Sequence, residues 1–308
     1  MPSASLRTCD ISTDRVREPD RQRVRNANAG LSSSTVRIDE EARAAVDRLE
    51  LPFNRLGFDP YGISKSHLRV GLTILAALYR HYFSVETHGI AHVPARGRAM
   101  LVGNHSGGLP IDGAMLIAAC LLDMNPPRLA EGMIEKFIGR FPFAGEWASR
   151  TGQFAGVTEN AEHLLEDDRL LMVFPEGARG TAKLFRDRHT LVDFGTGFVR
   201  LALKTNSPIV PVAVLGGGEA FPTIANAYKL GQLLGVPYVP IVAYGLPIPL
   251  PAKIEIEFGP PMRFVGNGNE DDDVVLGYVE RVKSTIGEML AAGARRRRGE
   301  PAQLARGV

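Results

Sequence analysis

Apolar residues recur at helical spacing twice near the start of the chain. The first amphipathic stretch runs from about Asp39 to Leu49 and is broken by the Gly- and Pro-punctuated segment Pro52 to Gly62. In the second, LRVGLTILAALYRHYF, residues Leu68, Leu72, Leu75, Tyr79 and Phe83 share one face, and Ser64 stands where an N-cap belongs. Lys65, Arg69, Thr73 and Arg80 share a basic stripe. The longest uncharged run, Val70 to Tyr79, is far short of the roughly 20 residues needed to span a bilayer. Two placements fit this helix: packed on a folded domain, or lying flat in a membrane interface.

From residue 85 the pattern changes to strand, loop and helix in alternation. Short apolar runs at Ala99–Val102, Leu170–Phe174, Ile209–Leu215 and Ile254–Phe258 read as strands, with helical stretches Gly113–Leu122 and Glu159–Leu165 between them. The expected class is α/β, a mixed sheet flanked by helices with an N-terminal helical extension. Ile254, Ile256 and Phe258 alternate with Glu255 and Glu257, which predicts a half-buried strand, and a closing helix follows from about Asp272 to Leu290. The stretch Leu230–Ala252 carries no charge but holds Pro237, Pro240, Pro247, Pro249 and Pro251, too many for a helix through it. It reads as an irregular loop against the core or as an apolar surface that meets lipid or an acyl chain. The expected organisation is a disordered tail at 1–35, the helical extension at 36–84 with possible membrane-interface contact, an α/β domain at 85–294 and a basic tail at 295–308.

Composition narrows the functional classes. A chain of 308 residues with 44% hydrophobic content can bury a sizeable core, and a net charge of +2 gives no reason to expect a nucleic-acid partner. Arg295–Arg298 is a local exception that suits either a solvated tail or anionic lipid head groups. Two cysteines, Cys9 and Cys120, supply neither a disulfide framework nor metal-ligand spacing. Residues 1–35 lack an apolar signal core. The expected setting is cytoplasmic, peripheral on the cytoplasmic membrane face, without a metal.

Two strings carry chemistry. LVGNHSGGLPIDGAML places His105 just after a strand and Asp112 at a helix start, so a carboxylate can fix the tautomer of an imidazole exposed on a strand-end loop. Taken alone, Asp112 as a helix cap and His105 as a backbone partner fit equally. LLMVFPEGARGTAKLF runs a strand into Pro175, Glu176, Gly177 and Arg179, where an acid can accept hydrogen bonds from hydroxyls and a glycine admits close approach.

Together these strings resemble the glycerol-phosphate and lysophospholipid acyltransferase family over roughly residues 85 to 265. The resemblance implies His105 as general base, Asp112 as its orienting partner, and Glu176 and Gly177, with Pro175 and Arg179, as the acceptor-binding element. SPIVPVAV, residues 207–214, is similar to the family's fourth block near the acyl donor. The implied reaction moves a fatty acyl group from acyl-CoA or acyl carrier protein, a co-substrate rather than a cofactor, to a hydroxyl of a lipid acceptor.

Two departures bear on this. Six residues rather than the family's four separate His105 from Asp112, and Gly107 and Gly108 are what would let the longer loop fold back; their amides are also candidate oxyanion donors. After Gly152, Thr158 and Glu159 stand where the family has an arginine for the acceptor phosphate, leaving Arg140, Arg150 and Arg179 as substitutes. That pattern, and the resemblance of residues 216–242 to a superfamily branch that esterifies diacylglycerol or long-chain alcohols, leans toward a neutral acceptor. Two rival readings are a serine lipid hydrolase built on Ser106, which lacks the Gly-x-Ser-x-Gly elbow, and a non-catalytic lipid-binding protein.

Overall fold

In the computed structural model, described for residues 37–135, 141 and 143–300, a seven-stranded sheet forms the centre in the order β1-β9-β6-β2-β5-β3-β4. Its members are β1 (Glu86–His88), β2 (Ala99–Gly103), β3 (Ala130–Ile134), β4 (Gln153–Ala155), β5 (Leu170–Val173), β6 (Ile209–Leu215) and β9 (Glu255–Phe258). The strands from β4 to β6 in that order are parallel; β9 joins β6 antiparallel and β1 joins β9 in parallel. From β2 the chain crosses to β3 on one side, and from β5 it crosses back over β2 to reach β6. β2 is therefore the point at which the winding reverses, and in such sheets ligands collect at the carboxyl ends of the strands.

The strands read as continuous apolar runs because both faces are covered. Every residue of β6 is buried, and Met100, Leu101 and Val102 of β2 have no exposed surface. Leu101 and Val212 pack with α2 (Lys65–Ala77) and α3 (Ile111–Leu122) on one face. Met100, Val102 and Ala213 pack with α5 (Thr158–Glu166), α7 (Gly197–Lys204) and α10 (Asp272–Arg297) on the other.

Several boundaries shift for physical reasons. Helix α1 occupies 37–47, and its acids take up the basic stripe of α2: Arg69 meets Asp47 at 2.5 Å and Arg80 meets Glu41 at 2.7 Å. Helix α2 packs on the domain through buried Leu68, Leu72 and Ala76, each leucine contributing about 1.5–3 kcal/mol, while Val70 and Ile74 of its outer face are exposed. Helix α10 runs on to Arg297, so the basic run begins as its last turn rather than as a tail; Arg297 reaches Glu255 at 2.9 Å and Arg296 reaches Glu257 at 2.7 Å. This also corrects the half-buried reading of β9, since Glu255 is itself buried beneath Arg297.

Within Leu230–Ala252, expected to be irregular, α9 (Tyr228–Leu234) stops before Pro237 and β8 (Val239–Val242) pairs with β7 (Thr223–Ala227) as a ribbon, while 243–252 carries neither helix nor strand, as expected. At the far end of the sheet, Arg169 is buried between Glu131 of β3 at 2.9 Å and Asp59 at 2.8 Å. Among the described residues no helix is long and apolar enough to cross a membrane, and no three His, Cys, Asp or Glu side chains gather as a metal site. Cys120 is buried, which pushes its thiol up to about 12; Cys9, the 1–35 tail and Arg140 lie outside the described residues.

Candidate active site

β2 and β6 stop pairing at Gly103, where Asn104 takes over the ladder with its side chain. Its amide donates to the Val214 carbonyl at 3.0 Å and accepts from the Val214 N–H at 2.8 Å, so the next residue leaves the sheet from a fixed point. That residue is His105. Its Nδ1 lies 2.9 Å from Oδ2 of Asp112, in the first turn of α3, so the six-residue loop does return on itself. Gly107 makes this possible: its φ is +91°, and a Cβ there would stand 2.9 Å from the Gly217 carbonyl. At Gly108 a Cβ would meet Pro240 of the ribbon at 2.7 Å.

Asp112 has no exposed side-chain surface, yet its charge is provided for. Oδ2 also accepts the Ser106 N–H at 2.9 Å, Oδ1 accepts the Gly113 N–H at 3.2 Å, and the amino end of α3 favours an anion. An ionised Asp112 takes the proton on Nδ1, which leaves Nε2 as the basic nitrogen of a ring that is 12% exposed. Phe174 stacks on the imidazole, with ring centres 3.9 Å apart and planes 15° from parallel.

The FPEG turn holds the same histidine from behind. Glu176 accepts the His105 N–H on Oε1 at 2.9 Å, and its Oε2 accepts the Val192 N–H at 2.8 Å and pairs with Lys183 Nζ at 2.5 Å. Lys183 in turn donates to the His105 carbonyl at 2.8 Å. Burial pulls the Lys183 ammonium below its usual value, with attraction to Glu176 opposing. The acceptor-binding role implied for Glu176 thus meets a different geometry: its side chain has no exposed surface, and its oxygens are spent on His105, Val192 and Lys183. Gly180 of the short helix α6 (Ala178–Thr181) permits this closeness, since a Cβ there would lie 2.7 Å from Cβ of both Glu176 and His105.

The other expected residues lie around this clamp. Gly177 turns at φ +56° with open space where a Cβ would be, the Pro175 carbonyl accepts from Gly195 N–H at 3.0 Å, and exposed Arg179 donates to the Asp193 carbonyl at 3.0 Å. Arg150 is drawn away to the Gly62 carbonyl. Ser106 is buried and its hydroxyl has no hydrogen-bond partner among the described residues, so no base is placed to activate it as a nucleophile. A cavity of about 600 Å³ lies elsewhere, beyond β6, walled by mutually paired charges such as Lys253 with Glu86 and Arg297 with Glu255.

Sequence reasoning missed Lys183, Phe174 and Asn104. A lone lysine seven residues beyond Glu176 was the available signal for the first; nothing local marked the other two.

A sequence model of the family described as Acyltransferase matches residues 84–215, the stretch holding both His105 and the FPEG turn. An uncharacterized protein of Mycobacterium tuberculosis is 34% identical over 295 residues, covering 89% of this chain and 81% of its own. The chain belongs to the acyltransferase family. More distant is a protein of Bos taurus named DGAT1/2-independent enzyme synthesizing storage lipids, 22% identical to this acyltransferase and covering 70% of this chain and 64% of its own. Among solved structures, the 1-acyl-sn-glycerophosphate acyltransferase PlsC of Thermotoga maritima aligns with a TM-score of 0.48 at 18% identity, over 73% of this chain and 81% of its own. The enzyme is thus an acyltransferase.

Proposed function

We propose that this acyltransferase moves a fatty acyl group from a thioester, acyl-CoA or acyl carrier protein, to the hydroxyl of a lipid acceptor, with His105 as general base and Asp112 as its orienting partner. The observation that carries the reading is the 2.9 Å contact between His105 Nδ1 and Asp112, which leaves Nε2 to accept a proton on a ring that Phe174 stacks against and that is 12% exposed. The acceptor O–H gives its proton to Nε2 while its oxygen bonds to the thioester carbonyl carbon. As the tetrahedral intermediate collapses, the C–S bond breaks and the thiolate takes the proton back from the imidazolium. Buried Asp112 stabilises that imidazolium. General-base assistance contributes about 10²–10⁴-fold, and the remainder falls to positioning and to oxyanion donors. The amides of Gly107 and Gly108, which have no acceptor among the described residues, are the candidates for that role.

A neutral acceptor fits best. Thr158 and Glu159 stand in place of the expected cation, Arg150 is held at the Gly62 carbonyl, and Arg179 is held at the Asp193 carbonyl. The name of the bovine relative, with its reference to storage lipids, points the same way.

The test incubates the full chain with acyl-CoA and, separately, diacylglycerol, a long-chain alcohol and lysophosphatidic acid, and follows thiol release and product. Release is expected with the neutral acceptors and is expected to vanish in His105→Ala. Release independent of acceptor, or a His105→Ala enzyme with most of its rate, refutes the assignment. Preference for lysophosphatidic acid overturns the neutral acceptor alone.

A further inference from the structure

The apolar ribbon that follows β6 has no place in the chemistry above, yet it stands beside it. Tyr238 Oη lies 2.6 Å from Thr181 Oγ1 and Asn226 donates to the Ala182 carbonyl at 2.7 Å, which root it on α6; Pro240 rests against Gly108 of the catalytic loop. Tyr82 Oη donates to the Pro249 carbonyl at 2.6 Å, fixing the returning strand to the end of the α2 region. Beyond these roots the side chains turn to solvent. Leu233 is 82% exposed, Leu246 61%, Ile248 59%, Leu234 58% and Leu230 45%. No charged residue lies between Lys229 and Lys253. A face of this size rimmed by polar groups marks a surface built to be covered.

We infer that this ribbon, with α9 at its tip, docks into the surface of a lipid bilayer and brings the His105 loop to the membrane plane. Its layering decides between lipid and protein. The outermost positions are plain aliphatic residues, without the buried aromatic and arginine anchors or the hydrogen-bonding groups on which protein interfaces depend. Tyr228 packs on Tyr238, which is rooted on Thr181 at the base of the ribbon, as an aromatic belt sits at the level of head groups. Lys229, exposed beside Tyr228 at the start of α9, can reach anionic head groups while its stem stays on the apolar side. The proposal gives the lipid-acceptor reading its surface of approach, and it is tested without any substrate.

The test is flotation of the full chain with phosphatidylcholine–phosphatidylglycerol vesicles. Leu233→Asp/Leu234→Asp is compared with Val265→Asp, which alters an apolar residue 87% exposed on the loop beyond β9, near the amino end of β6 rather than the carboxyl end from which the ribbon leaves. The double variant is expected to lose partition roughly 100-fold and the control to float as the wild type does. A Leu234→Trp probe in a Trp147→Phe background is expected to be quenched by lipids brominated in their acyl chains. Circular dichroism checks that the exposed substitutions leave the fold intact. Wild type that stays in solution, a double variant that floats normally, or a control that fails equally overturns the proposal. So does loss of a dimer in the double variant with flotation unchanged, which assigns the face to a second copy of the chain. If flotation behaves as expected but no lipid acceptor is acylated, the catalytic reading falls and the docking surface stands.

Discussion

Glu176 and Lys183 grip the two backbone ends of one residue, the carboxylate taking the N–H of His105 and the ammonium its carbonyl, with 2.5 Å between the two gripping groups. The proposed general base therefore sits on an internal ion pair, and disturbing that pair is expected to separate stability from activity. Lys183→Met leaves Glu176 buried and uncompensated, at a cost of about 3–5 kcal/mol. Adding Glu176→Leu removes the stranded charge, so the double variant is expected to recover much of its melting temperature while its transfer rate stays low, because nothing then fixes His105. A double variant with restored rate refutes the positioning role.

Asp112→Asn tests the dyad apart from the histidine. An amide can donate to Nδ1 and turn the tautomer over, moving the proton to the nitrogen that must accept one. A fall in kcat of about 10²-fold or more is expected, with KM changed little. A profile in which only KM moves assigns Asp112 to acceptor binding.

Gly180→Ala places a methyl group 2.7 Å from both Glu176 and His105. The helix must retreat, and the ring moves with it. Transfer is expected to drop at least about 10-fold, since small misplacements of a catalytic group are costly, while unfolding shifts by only about 1–3 kcal/mol.

Ser106→Ala removes a buried hydroxyl that has no hydrogen-bond partner among the described residues. Stability is expected to hold or to rise by about 1 kcal/mol, and turnover to stay within about 2-fold of wild type. Loss of turnover in this variant, coupled with a trapped acyl-serine, reinstates the hydrolase.

Glu131 predicts a pH dependence of the opposite sign to ordinary acid denaturation. Burial raises its carboxyl from 4.5 to about 8 despite Arg169 beside it. The folded chain keeps this proton across a window in which the unfolded chain has released it, so stability is expected to fall as pH rises from 4.5 to 8. Glu131→Gln keeps the uncharged form at every pH and is expected to flatten this slope, seen as a melting temperature higher by at least about 2 °C at pH 8 relative to wild type.

The sheet was legible because its strands are buried on both faces: runs such as Ile209–Leu215 and Ala99–Val102 leave little else for an apolar stretch between loops to be. His105 and Asp112 were legible through the glycines between them, which signal a returning loop. What escaped was direction. FPEG tells where a carboxylate lies along the chain, but only packing turned it inward, toward a lysine whose partner could not be read from spacing. The same holds for the stripe on α2, whose charges suited a membrane as well as they suited α1. In Leu230–Ala252 the prolines were weighed over the whole stretch, although α9 begins before the first of them and ends in time.

The pairing of β1 with β9 has a consequence for how the molecule is made. These are the first and last strands of the sheet, and β1 has no other neighbour in it. During synthesis β1 leaves the ribosome with nothing to join, and the flank of β6 that β9 will cover stays open until nearly the whole catalytic core has been translated. Closing that seam is a late, long-range step, and the nascent chain is most exposed to mispairing just before it happens.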